Sequence, residues 1–128
     1  RAPQLTHGGV VFAPVPRDYS FKLNKKEKRA ALKSALTSKV QNNKLVVVDS
    51  LALAEVKTKE MQKVLTNLKA EKALVITADN DQNVILSARN IADVETATPA
   101  TINTYDVMKH NTVVVTKDAV ASIEEVYA

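Results

Sequence analysis

LVVV at residues 45–48, TKEMQKVLTNLK at 58–69 and ALVIT at 73–77 together decide the fold. Leu45-Val46-Val47-Val48 is a short continuous apolar run, the pattern of a strand buried on both faces. Residues 58–69 place Met61, Val64, Leu65 and Leu68 along one side of a helix. Ala73-Leu74-Val75-Ile76-Thr77 reads as a second buried strand. A strand, a helix and a strand in that order call for a crossover connection and parallel pairing.

The alternation continues toward the C-terminus. Residues 83–90 predict a short helix carrying Val84, Ile85 and Leu86, and residues 94–96 a weak strand. Residues 103–109 predict a short helix, 112–116 a third clear strand, and 118–127 a closing helix with Val120, Ile123 and Val126. Toward the N-terminus, residues 25–41 are rich in strong helix formers, with Asn24 as N-cap. Leu32, Leu36 and Val40 recur there at i, i+4 and i+8, and Lys28, Arg29 and Lys39 fall close to that stripe. Such cations either form an interface or snorkel past the edge of the core. The expectation is an α/β fold: a three-layer α/β/α domain over residues 25–128, with a mostly parallel sheet of about four strands. Residues 1–24 hold Pro3, Gly8, Gly9, Pro14 and Pro16 in quick succession. They read as an irregular basic arm, apart from a candidate short strand at Val10-Val11-Phe12.

A chain of 128 residues favours one domain, and 45% apolar residues supply a core. Only five residues are aromatic, so that core rests on Val, Leu, Ile and Ala. No cysteine is present, which removes disulfides, thiolate metal sites and cysteine nucleophiles. No apolar run reaches the roughly 18 residues of a membrane span, and no signal-peptide pattern opens the sequence. The first residue is Arg1 rather than Met, which reads as a fragment or a processed product.

The net charge of +4 conceals an asymmetry. Residues 1–40 carry nine basic and two acidic side chains, a net of +7; residues 41–128 carry nine basic and twelve acidic, a net of −3. A basic end on a mildly acidic body points to a polyanion engaged by one surface. The cations Arg1, Arg17, Lys22, Lys25, Lys26, Lys28, Arg29 and Lys33 interleave with Phe12, Tyr19 and Phe21. Cations suit a phosphate backbone and aromatics stack on unpaired bases, so RNA is the expected partner. The plainer alternative is a solvated charged face, with the aromatics anchoring the arm to the domain.

Other chemistries find less footing in the sequence. Nucleotide-binding loops need glycines within a strand–loop–helix unit, and Gly8 and Gly9 both lie outside one. Asp49, Asp79, Asp81 and Lys117 follow strands and converge at the carboxyl edge of a parallel sheet. There they could hold Mg²⁺ in a phosphoacceptor-type domain, or serve only as turn residues and helix caps, as does Asp118. His7 and His110 have no Ser and Asp partner pattern and read as surface residues. No catalytic residue, metal ligand or cofactor site is expected.

The first 40 residues resemble a specific family. Arg1-Ala2-Pro3-Gln4, Gly8-Gly9-Val10-Val11-Phe12, Pro14-Val15-Pro16-Arg17-Asp18-Tyr19-Ser20 and Lys22-Leu23-Asn24-Lys25-Lys26 are similar to the bacterial large-subunit ribosomal protein L-four family. The resemblance runs on through 31–36, Val56-Lys57-Thr58-Lys59, Asn83-Val84, Ser87-Ala88-Arg89-Asn90 and 112–120. It implies an α/β domain docked on large-subunit ribosomal RNA beside neighbouring ribosomal proteins, in the cytoplasm. It also implies an extended loop reaching the nascent-peptide tunnel, placed before the residues matching Arg1. Some members bind their own leader mRNA. Carried across, the basic RNA-facing segment is Arg1, Arg17, Lys22, Lys25, Lys26 and Lys33, and Arg89 either touches RNA or caps local structure. Ala13 stands where glycine is usual, Val15 where a basic residue is common, and Thr6-His7 replaces a richer Gly/Arg step.

Overall fold

The computed structural model describes residues 2, 5, 7–10 and 12–127. Four strands, β1 (Leu45–Val48), β2 (Ala73–Ile76), β3 (Glu95–Ala97) and β4 (Thr112–Thr116), form one sheet in the order β1-β4-β2-β3. All three pairings are parallel. Among the described residues five helices surround it: α1 (Lys25–Gln41), α2 (Thr58–Asn67), α3 (Gln82–Ala88), α4 (Thr104–Lys109) and α5 (Lys117–Tyr127). The steps β1 to β2 and β2 to β3 run the same way along the sheet. Right-handed crossovers therefore place α2 and α3 on one face. The step from β3 back to β4 reverses direction and places α4 on the other, where α1 and α5 join it.

The pleat divides the core between these layers. Leu74, Ile76, Val113 and Val115 pack with Leu32, Ala35, Val107 and Ala119 on the α1/α4/α5 side. Ala73, Val75 and Val114 pack with Met61, Leu65, Val84 and Ala88 on the α2/α3 side. Burying each such Val, Leu, Ile or Met contributes about 1.5–3 kcal/mol relative to exposure. The three-layer α/β/α fold is the one read from the sequence, and its sheet is wholly parallel.

Local chemistry fixes the helix ends. The Asn24 backbone N–H donates to Glu27 Oε2 at 3.1 Å, satisfying one open donor at the start of α1. Asp81 caps α3, its Oδ1 accepting from the Asn83 N–H at 2.9 Å. Asn103 caps α4, accepting from the Asp106 N–H at 2.8 Å. Two helices end in left-handed turns, at Asn43 (φ 55°) and Lys69 (φ 54°), and the N–H of the next residue returns to the last turn. The terminus of α2 thus falls at Asn67, two residues before the sequence pattern ends. In the other direction, α5 begins at Lys117.

Four expectations need correction. β1 is an edge strand, not one buried on both faces: its side chains are only partly covered and Val47 is 54% exposed. Val40 is exposed on α1, and Lys39 takes the buried place instead. The Lys39 Nζ donates to the carbonyl oxygens of His110 at 2.6 Å and Asn111 at 3.4 Å, tying α1 to the turn before β4. Burial, and secondarily the nearby Lys44, push the Lys39 ammonium below its usual pKa. His110 is not a surface residue: it is 1% exposed at the end of α4. Its Nδ1 sits 2.8 Å from the Asp106 carbonyl and so donates to it, while Nε2 lies 3.8 Å from Glu95 Oε2 with no hydrogen-bond partner among the described residues. Finally, Val10 and Phe12 carry no strand, and Val11 lies outside the described residues.

Candidate nucleic-acid interface

From Phe12 to Ala31 every residue is exposed. The first two turns of α1 project beyond the core, which that helix first meets at Leu32. Proline and the absence of apolar periodicity explain the open arm before it. Its aromatic side chains have no place in the core: Phe12 is 95%, Tyr19 75% and Phe21 82% exposed. The alternative in which they anchor the arm to the domain therefore finds no support.

The cations fall into two groups. In the arm, the Arg17 guanidinium lies over the Tyr19 ring, 4.3 Å from its centroid, in cation–π geometry. Between them, the Asp18 carboxylate accepts the Ser20 N–H at 2.8 Å. Hydrogen bonds from the Ser20 side chain and backbone hold the Asp18 carboxyl below its ordinary pKa. Lys22 is exposed farther along the arm. On α1, Lys26, Arg29 and Lys33 are spaced three and four residues apart and share one flank of the helix. Lys25 and Lys28 point from the projecting turns, and Glu27 is the only acid in the helix. Arg1 lies outside the described residues.

Arg89 stands apart. It follows α3, on the opposite side of the sheet from α1, and is exposed. The strand-end groups do not assemble either. Asp49, Asp79 and Lys117 are exposed, and Asp81 is engaged as the α3 cap. Among the described residues no three His, Cys, Asp or Glu side chains are grouped to share a metal ion. The phosphoacceptor alternative therefore gains no support from the geometry.

A family model described as the ribosomal protein L4/L1 family matches residues 1–126. The chain belongs to the ribosomal protein L4/L1 family. Large ribosomal subunit protein uL4 of Agathobacter rectalis is 66% identical over 128 residues, covering 100% of this chain and 62% of that relative. The protein of the same name from Lachnoclostridium phytofermentans is 62% identical and that from Thermoanaerobacter sp. 51%, each with the same coverage. This L4/L1 chain thus spans about 62% of the length of the curated relatives it matches. For this family member, the exposed arm and the projecting turns of α1 are the region where cations and aromatics coincide.

Proposed function

We propose that this chain is a structural constituent of the large ribosomal subunit, docked on its ribosomal RNA by the arm and the first half of α1. The observation that carries the reading is the unpacked arm: Phe12, Tyr19 and Phe21 lie in solvent among cations, at the end of the chain that nets +7. Exposed aromatics offer stacking faces to unpaired bases. The ammonium and guanidinium groups neutralise phosphates and release counterions. The contact residues are Arg1, Arg17, Tyr19, Lys22, Lys25, Lys26, Lys28, Arg29 and Lys33, with Arg89 as a separate contact across the sheet. Residues 1–24 serve as the arm and residues 25–128 as the globular domain. Docking makes and breaks no covalent bond and calls for no cofactor. Neighbouring ribosomal proteins are further partners, and the place of action is the cytoplasmic ribosome.

The test is binding to large-subunit ribosomal RNA across a salt series. Replacing Arg17, Lys25, Lys26 and Lys33 together by Ala should flatten the slope of log affinity against log salt by roughly 0.7–0.9 for each phosphate no longer neutralised. An unchanged slope would assign these cations to a solvated face and remove the reading. Tighter binding to the leader mRNA than to ribosomal RNA would instead make the chain a regulatory RNA binder.

A further inference from the structure

Asp18 is one of only two acids in the basic first 40 residues, and unlike Glu27 it closes no helix end. It stands between Arg17 and Tyr19, yet among the described residues it forms no ion pair. Its Oδ1 turns instead to the Ser20 backbone N–H, 2.8 Å away, in the pattern of an Asx turn. The Arg17 guanidinium is left to the Tyr19 ring, 4.3 Å from the centroid. An acid in such a segment repels phosphate and weakens the attraction to a polyanion. The hydrogen bond to Ser20 offers a role that offsets this repulsion.

Arg17 and Tyr19 are two residues apart in a segment with neither helix nor strand. Alternate side chains fall on one side of an extended chain. That spacing allows the stack but does not hold it. An exposed cation–π contact favours the paired arrangement by only about twofold to fivefold, and free rotation of backbone and side chains opposes it. Two local restraints act on the backbone. Pro14 and Pro16 fix φ on the N-terminal side. The bond from Asp18 to Ser20 spans Tyr19 itself. The Ser20 side chain and backbone also hold the Asp18 carboxyl below its ordinary pKa, which keeps it an acceptor at neutral pH. With the guanidinium over one face of the ring and Tyr19 exposed, the other face stays open.

We propose that Asp18 is a positioning residue: its hydrogen bond to Ser20 holds Arg17 stacked on Tyr19 before RNA arrives, so that one open ring face is presented to a single unpaired base. This rests on the reading of the arm as an RNA contact. Ordering the pair in the free chain removes that entropy loss from the binding step. Asp18 itself touches no RNA.

Charge alone and positioning predict opposite signs, and affinities for large-subunit ribosomal RNA at one salt concentration separate them. The full chain is compared with D18A, D18N, Y19A and D18A/Y19A, each checked for fold by circular dichroism. D18A makes the arm more positive and on charge alone should bind more tightly. Positioning predicts the reverse, a loss of roughly threefold to tenfold, the scale of ordering one or two long side chains. D18N removes the same charge but keeps an oxygen that accepts the Ser20 N–H, and should restore or exceed wild-type affinity. In the Y19A background, D18A should weaken binding no further. In the free chain, the upfield shift that the Tyr19 ring gives the Arg17 side-chain protons should vanish in D18A and persist in D18N. If Y19A weakens binding but D18A does not, or D18N falls with D18A, or D18A weakens binding in the Y19A background as well, this inference fails alone. If Y19A and the fourfold Arg17, Lys25, Lys26, Lys33 replacement both bind as wild type does, the arm reading and this inference fail together.

Discussion

The arm with the first turns of α1, and the sheet with its helices, obey opposite rules. From residue 12 to residue 31 nothing is buried, and every buried residue among those described lies at or beyond Leu32. The body is held by Val, Leu, Ile and Ala packed on a parallel sheet. The arm carries a larger share of the aromatics and makes no core with them. Large side chains are therefore not a measure of where this chain is stable. In the body apolar area serves folding, and in the arm it stays available to a partner.

That contrast can be broken by substitution. Leu74→Ala, at a fully buried position in β2, should cost about 2–5 kcal/mol of stability by urea unfolding. RNA affinity measured well below the new midpoint should hold, because the proposed contact surface is elsewhere. Tyr19→Ala should do the reverse. Unfolding should stay within about 0.5 kcal/mol of wild type. Affinity for ribosomal RNA should fall by about 1–3 kcal/mol if the ring stacks on a base, with Tyr19→Phe close to wild type. A destabilised Tyr19→Ala would show that the arm packs on the body after all.

Lys39→Met sharpens the boundary, since Lys39 is a cation of the basic half that belongs to the body. It removes the donor to the His110 and Asn111 carbonyls. Stability should drop by about 1–3 kcal/mol, with no change in the salt slope of RNA binding.

The smallest expected effect is on acid stability. Glu95 pairs with Lys109, and that hydrogen bond holds the Glu95 carboxyl below its ordinary value. The folded chain then binds fewer protons than the unfolded chain between the two values. The Glu95 contribution is present above the ordinary Glu range and is lost as pH falls through the lower, folded value. Urea midpoints taken from pH 7 down to pH 3 should fall less steeply for Glu95→Gln than for wild type.

Much of the fold was legible because three strands are continuous apolar runs and the helices between them are amphipathic. The exposure of β1 was not, because strand order depends on pairings far apart in sequence and leaves no mark on LVVV itself. Val40 misled for a geometric reason. A strict four-residue repeat drifts about 40° per step around a helix, so by its third member it has turned away from the core and Lys39 faces inward. His110 gave no local sign of burial, because its surroundings come from β3 and α1, distant in sequence. In the candidate interface the charge asymmetry was plain from composition. That the arm aromatics lack partners is a tertiary fact.

The order of the strands bears on how the protein comes into being. β4 lies between β1 and β2, yet it is the last of these four strands to be synthesised. Until residues 112–116 have been made, β1 has no partner within the sheet and β2 lacks the neighbour that links it to β1. Closing the loop from β1 to β4 orders more than sixty residues at once, which slows folding relative to local pairing. A growing chain would therefore display its basic arm well before its domain could close. The proposed contact with RNA would then be open to the arm while the body is still unfolded.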